Sequence, residues 1–144
     1  MMLSIFRRRP EMAHIIVEYS GNLAAGLDLQ GLLRALHEAA AASGVFPLGG
    51  LRTRAYAATD YLIADGHPDN AFVHISLRVG HGRDLATRCH AGELIFAAAV
   101  RHLEALYASR PLGISCEMQE IDPVVTFKQN NLHDYLKRRG TKER

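Results

Sequence analysis

The sequence contains only two cysteines, little net charge and no apolar run long enough to cross a bilayer. Cys89 and Cys116 each lie inside an apolar pattern, which excludes a disulfide framework and predicts a reduced, cytoplasmic protein. A transmembrane helix needs about 20 consecutive apolar residues. Residues 1–6 are too few for a secretory leader, and the charges follow this apolar stretch instead of preceding it. We therefore expect a soluble cytoplasmic protein that makes no membrane contact.

The charge balance is close to even, with 17 lysines and arginines against 15 acidic residues and a formal net charge of +2. Much of the basic excess lies in two terminal runs, at 7–9 and at 137–144. No nucleic-acid-binding signature accompanies these runs, so we interpret them as solvated and expect no nucleic-acid partner. Residues 1–12 then form a flexible arm, 13–137 one folded domain, and 138–144 a basic tail.

Regular patterning begins at Ala13 and predicts four strands with intervening helices. β-branched residues dominate 14–19, and apolar and polar residues alternate over 51–57, 72–79 and 114–119. Asp28 is placed to cap a first helix that ends at Gly44. Asp84 is placed to cap a second helix up to Pro111, with an apolar stripe of Leu85, Cys89, Gly92, Phe96, Ala99, Leu103 and Leu106. A short helix is expected over 131–137.

The order strand, helix, strand occurs twice, which predicts an α/β (α+β) fold of two β-α-β units. A helix of this length between two strands suits a right-handed crossover between parallel strands, so both helices cover one face of a four-stranded sheet. The other face is then solvated or contacts other subunits. It carries His14, Glu18, Arg52, Arg54, His74, Arg78, Glu117 and Gln119.

The eight histidines raise the question of a metal site. His74, His81, Cys89 and His90 lie within a short window, but their spacing fits no standard zinc pattern, and we predict no metal. The stretch 80–83 joins a strand to a helix without the glycine pattern or the lysine of a phosphate loop. The helix amino terminus that follows nevertheless favours an anion near Arg83.

Six stretches together resemble the 5-carboxymethyl-2-hydroxymuconate isomerases, a family of the tautomerase superfamily known in homoprotocatechuate catabolism. They are 13–20 (AHIIVEYS), 44–52 (GVFPLGGLR), 64–66 (ADG), 72–74 (FVH), 82–85 (GRDL) and 127–131 (FKQNN). Each stretch is weak alone, but their shared order and spacing are specific to that family. The resemblance implies a tautomerase-like fold, a homotrimer whose sheets face one another, and a cofactor-free isomerase that acts on a small anionic oxo-diacid.

The resemblance also assigns arginines to a substrate. The family's reaction moves a proton across a conjugated 2-hydroxy or 2-oxo diacid. By position Arg83 matches the arginine that holds the distal carboxylate, a task that suits a planar, permanently charged guanidinium. Arg52 matches the arginine expected at the 2-oxo or 2-hydroxy end, where it stabilises developing enolate charge. Arg54 is a possible auxiliary. Without the resemblance each would be interpreted as a surface or interface arginine.

The sequence departs from the family at the catalytic base. The family uses the nitrogen of an amino-terminal proline with a lowered pKa, whereas this chain has Ala13, preceded by Met12. An internal Ala13 has only an amide nitrogen, which is no base. A chain that starts at Ala13 would instead expose a primary amine with a reference pKa of about 7.7–8.0. Catalysis by Ala13 therefore requires that its amine is free.

Two alternatives from other classes stay open at this point. The first is a catalytically silent trimeric homologue that binds an anionic ligand through Arg52 and Arg83 without turnover. The second is an assembly module whose basic tails bind an acidic partner.

Overall fold

A computed structural model describes residues 12–141. The predicted arm, apart from Met12, and the last three residues of the predicted tail lie outside the described residues. The elements are β1 (Ala13–Ser20), α1 (Leu29–Ala42), β2 (Leu51–Ala58), β3 (Ala71–Gly80), α2 (Leu85–His102), α3 (Glu104–Ser109), β4 (Leu112–Ile121) and α4 (Leu132–Arg138), with 3-10 turns at Gly21–Leu23 and Leu48–Gly50. The predicted order of strands and helices, including the short last helix, is confirmed, except that the predicted second helix is divided into α2 and α3.

The four strands form one mixed sheet in the order β2-β1-β3-β4. β1 is parallel to β2 and β3 is parallel to β4, whereas the central strands β1 and β3 are antiparallel. The predicted parallel pairing within each β-α-β unit is therefore confirmed. Because β1 and β2 begin where β3 and β4 end, Ala13, Leu51, Gly80 and Ile121 share one end of the sheet, which we term the Ala13 end.

The core lies between the sheet and the two long helices. Alternate residues of β1 and β3 point into it, and Leu32, Leu36 and Ile95 meet them from α1 and α2. Burying one such side chain contributes about 1.5–3 kcal/mol. The strand residues in the core are Ala13, Ile15, Val17, Val73, Ile75, Leu77 and Val79. None of the eight polar residues predicted for the other face is buried, so the predicted fold class, with two long helices on one face, is confirmed.

Both long helices begin at the predicted caps. The Asp28 carboxylate accepts a hydrogen bond from the backbone N–H of Gly31 at 3.0 Å, and the Asp84 carboxylate accepts one from Thr87 at 2.8 Å. Such a bond satisfies an amide that the first helical turn leaves without a partner. Gly44, with φ +74°, adopts the left-handed conformation that ends α1 at low cost. Arg83 immediately precedes the cap residue Asp84, in the turn between β3 and α2.

The predicted apolar stripe of the second helix is wrong at its amino-terminal half. Leu85 is 65% exposed and Phe96 36% exposed, whereas Ala91, Ile95, Ala98 and Ala99 are buried. The helix carries apolar residues on two sides, and small alanines face the core, where they allow close packing. The stripe also continues less regularly than predicted, because α2 ends at His102 and α3 begins at Glu104, on either side of the buried Leu103.

The second apolar side of α2 lines a groove beside β4, the last strand of the sheet. The groove has a volume of about 570 Å³. Its apolar lining includes Leu85, Cys89, Phe96, Cys116 and Met118, and Arg88, Glu93 and Glu117 also border it. Both cysteines are free thiols. None of the helices within residues 12–141 is both long and apolar enough to span a membrane.

Candidate active site

Ala13 begins β1 between Leu51 of β2 and Val79 of β3. The carbonyl of Met12 accepts a hydrogen bond from the N–H of Gly80 at 2.8 Å, which continues the ladder past the strand. Ala13 is only 1% exposed. In the chain as described, its nitrogen is therefore a buried amide, which neither takes up a proton nor meets a substrate.

Arg83 lies at the Ala13 end of the sheet and is held by backbone carbonyls. Its Nε donates to the carbonyl of Val45 at 3.2 Å, and its Nη1 donates to the carbonyl of Gly80 at 3.1 Å. The guanidinium carbon lies 4.8 Å from the centre of the Phe46 ring. Burial lowers the pKa of Arg83, and nearby Glu120 raises it, but a guanidinium stays charged at any physiological pH. Gly80 therefore contacts both residues: its N–H donates to the carbonyl of Met12, and its carbonyl accepts from Arg83.

Arg52 is directed to the same end of the sheet. It follows Leu51, the strand partner of Ala13, and its Nη1 donates back to the carbonyl of Gly50 at 3.1 Å. Val45, Phe46 and Gly50 all belong to the segment 45–50, between α1 and β2. This single segment therefore supplies contacts to both Arg83 and Arg52, and both predicted arginines are held at the Ala13 end.

Arg54, the predicted auxiliary, is held differently. It lies two residues further along β2, and its Nη1 contacts Nδ1 of His14 at 3.1 Å. Burial lowers the pKa of His14, and the charges of Arg54, Arg52 and Arg78 lower it further. His14 is therefore neutral near pH 7, with Nδ1 as the acceptor of the Arg54 hydrogen bond.

The role of Glu120, at the end of β4, was not predicted from the sequence. Its carboxylate accepts a hydrogen bond from the N–H of Gly82 at 3.3 Å and lies 3.2 Å from Nδ1 of His81 and 3.7 Å from Nη1 of Arg88. Nε of Arg88 in turn donates to the carbonyl of Arg83 at 3.2 Å. Glu120 thus ties the turn that presents Arg83 to the neighbouring strand. The stretch 80–83 is held as a turn by these contacts.

A second unforeseen contact joins the family stretches 44–52 and 127–131. The side-chain amide of Asn130 donates to the carbonyl of Gly49 at 3.0 Å. A Cβ added at Gly49 would lie 2.5 Å from Nδ1 of His133 in α4. The backbone of segment 45–50 is therefore clamped from outside by the chain that follows β4. Two stretches that carry the family resemblance, far apart in the sequence, are therefore in contact in the structure.

The histidine window does not form a cluster. His74 contacts Ser115 at 2.6 Å and Glu117 at 3.4 Å on the open face of the sheet, whereas His81 contacts Glu120 at the Ala13 end. No group of three or more potential metal-binding side chains occurs within residues 12–141.

Two β-α-β units paired in one four-stranded sheet, with both long helices on one face, form the fold of the tautomerase superfamily. A family model described as 5-carboxymethyl-2-hydroxymuconate isomerase matches residues 13–136, and the chain belongs to this family. The match begins at Ala13, where the predicted domain begins.

Individual relatives agree with this assignment. The chain is 43% identical over 126 residues to the 5-carboxymethyl-2-hydroxymuconate Delta-isomerase of Escherichia coli, covering 88% of this chain and 100% of the relative. It is similar to the crystal structure of a 5-carboxymethyl-2-hydroxymuconate isomerase from Deinococcus radiodurans R1, with a TM-score of 0.82, 36% identity, and 88% and 95% of the two chains covered. A further 5-carboxymethyl-2-hydroxymuconate delta-isomerase structure gives a TM-score of 0.82 and 34% identity over 88% and 94% of the chains.

Proposed function

We propose that this protein is a cofactor-free isomerase of aromatic catabolism that shifts a proton in 5-carboxymethyl-2-hydroxymuconate or a related small oxo-diacid. Membership of the family and 43% identity to a relative with this activity support an isomerase over a catalytically silent homologue. The observation that carries the proposal is the single segment 45–50, whose carbonyls hold both Arg83 and Arg52 at the end of the sheet where Ala13 lies.

Arg83 binds the distal carboxylate of the substrate in this proposal. Its guanidinium is oriented by two carbonyls and the Phe46 ring, so little side-chain freedom is lost when an anion binds. Arg52 faces the 2-oxo or 2-hydroxy group, where its positive charge stabilises the enolate oxygen as negative charge develops. Arg54 assists at this second position.

The amine of Ala13 is the proposed base in the form of the chain that begins there. Its neutral nitrogen accepts the proton that leaves one end of the conjugated system, and the resulting ammonium returns a proton to carbon at the other end, which regenerates the base. The neighbouring charges of Arg52 and Arg83 disfavour the ammonium and lower the amine pKa below about 7.7–8.0. A primary amine lacks the ring of the family's proline, so the rate is expected to be lower.

A cytoplasmic homotrimer is the assembly we propose. Three features beside β4 have no covering element within the described residues: the outer edge of that strand, the apolar groove against α2, and the exposed apolar side chains of the segment 122–131. In that segment Val124 is 80% exposed and Phe127 88% exposed. Contact between copies would cover this apolar surface. Native mass spectrometry tests the assembly, and a monomer at micromolar concentration would contradict it.

Steady-state turnover of 5-carboxymethyl-2-hydroxymuconate tests the proposed activity. The 144-residue chain and a chain that begins at Ala13 are compared under the same conditions, with intact mass confirming each amino terminus. We expect turnover by the shorter form and only background by the longer one, because only the shorter form has an amine at Ala13. Background rates for both forms would instead favour a silent, anion-binding homologue.

A further inference from the structure

His14 lies at the centre of a cationic group on the open face of the sheet. In the strand register it is the partner of Arg52 on β2 and of Arg78 on β3, and its ring contacts Arg54. None of these three arginines forms a salt bridge with a carboxylate among residues 12–141. Positive charge that is this concentrated and uncompensated attracts anions.

The geometry fixes the chemical state of His14. A guanidinium has donors and no acceptor, so the 3.1 Å contact between Nη1 of Arg54 and Nδ1 of His14 requires a bare Nδ1 and a proton on Nε2. A protonated ring would turn two donors toward each other and add a fourth positive charge. His14 therefore holds Arg54 only while the ring is neutral.

We propose that His14 is a positioning residue for the isomerase site: its neutral ring directs the Arg54 guanidinium toward Arg52 at the Ala13 end, so that two guanidinium groups face the oxo end of the substrate. This inference rests on the proposed function of Arg52. It adds a second cation to that end, which suits an α-oxo or α-hydroxy carboxylate, where two anionic oxygens lie side by side. His14 itself does not touch the reacting atoms.

The same arrangement makes anion binding sensitive to pH. The charged groups that face the ring are Arg52 and Arg54 from β2 and Arg78 from β3, while Glu18 lies further along the same face of β1. Below the lowered pKa of His14, the ring becomes a donor and releases Arg54. The neutral ring that holds Arg54 predominates at pH 7 and is lost as the pH falls through the folded-state pKa, which lies below 6.5.

Equilibrium binding of 2-oxoadipate, a small oxo-diacid, to the full chain provides the first test, by calorimetry at pH 7.5. We expect His14→Ala to raise the dissociation constant about tenfold, because Arg54 loses a hydrogen bond to its charged guanidinium. His14→Asn retains an acceptor near the position of Nδ1 and should restore most of the affinity. His14→Gln places its oxygen near the position of Nε2 instead and should not restore the affinity.

The double variant His14→Ala/Arg54→Ala separates positioning from a general structural effect. If His14 acts through Arg54, the double variant binds 2-oxoadipate no more weakly than Arg54→Ala alone. Additive losses, or equal affinity in all variants, would overturn the proposal, as would absence of saturable binding by the wild-type chain. Turnover by the form that begins at Ala13 decides the proposed isomerase activity separately. A chain that binds the anion and shows the His14 effect but lacks turnover contradicts only that activity.

Ring nitrogen NMR of His14 gives an independent readout. The wild-type spectrum should show the proton on Nε2, and Arg54→Ala should raise the pKa of His14 toward 6.5, because it removes a positive charge beside the ring. An Nδ1-protonated ring at pH 7.5 would contradict the proposal.

Discussion

Replacing Gly49 by alanine tests whether the clamp on segment 45–50 maintains the site. The added Cβ would lie 2.5, 2.7 and 2.9 Å from Nδ1, Cε1 and Cγ of the His133 ring, closer than any of these atoms tolerates. Either α4 or the segment must move, and overpacking of this kind costs about 1–3 kcal/mol. For a chain of this size that corresponds to about 2–4 °C in Tm per kcal/mol.

The measurement is thermal unfolding at a fixed protein concentration, together with 2-oxoadipate binding. Gly113→Ala is the matched control, because nothing lies within 4 Å of a Cβ at that position of β4. Gly49→Ala should lower Tm and weaken binding, and adding His133→Ala should recover part of both losses. Unchanged stability and binding in Gly49→Ala would refute the clamp.

Three further predictions concern Arg83, the cap of α1 and the two cysteines. Arg83→Lys keeps the positive charge but loses the two carbonyl contacts. The kcat/KM of the form that begins at Ala13 should therefore fall by about 10–150-fold, equivalent to about 1.5–3 kcal/mol. Arg34→Ala, at an exposed position of α1, should leave kcat/KM unchanged. Asp28→Ala should cost about 1 kcal/mol in urea unfolding and Asp28→Asn much less, since asparagine also caps helices. At pH 8, iodoacetamide should modify Cys89 before Cys116. Both thiols line the groove, so its coverage in the proposed trimer slows both reactions, whereas burial, with a contribution from Glu117, raises the pKa of Cys116 to about 11; equal rates by mass spectrometry would contradict this.

The strands and helix caps were predictable because their signals are local. Alternation in 72–79 reports directly which side chains of β3 enter the core, and the carboxylates of Asp28 and Asp84 act within one helical turn. The parallel pairing followed from helix length alone. The strands and the helix caps depend on neighbours that are close in sequence.

The core face of α2 was not predictable in the same way. Leu85 and Phe96 are larger and more apolar than Ala91 and Ala98, so hydrophobicity favours the wrong side of the helix. The distance between α2 and the sheet decides which side of the helix is buried, because small residues permit the helix to lie close to the sheet. The larger side chains are left beside β4, where the proposed homotrimer would cover them.

At the candidate site, the resemblance proposed the two arginines but not the residues that hold them. Arg52 and Arg83 were identified by position, and the fold brings both to the Ala13 end. Glu120, Asn130 and His14 were not recognised, because each contacts a partner at least 38 residues away in the chain. Such pairs carry no spacing signal within a single sequence.

Ala13→Pro in a chain that begins at residue 13 tests the central claim most directly, which is that the nitrogen at this position is the base of an isomerase. The measurement is kcat/KM for 5-carboxymethyl-2-hydroxymuconate, with the same substitution in the 144-residue chain as control. The account predicts a higher kcat/KM in the shorter form, because the substitution restores the family's secondary amine, and no gain in the longer chain, where residue 13 has an amide nitrogen. An equal effect in both forms, or no gain in either, would contradict it.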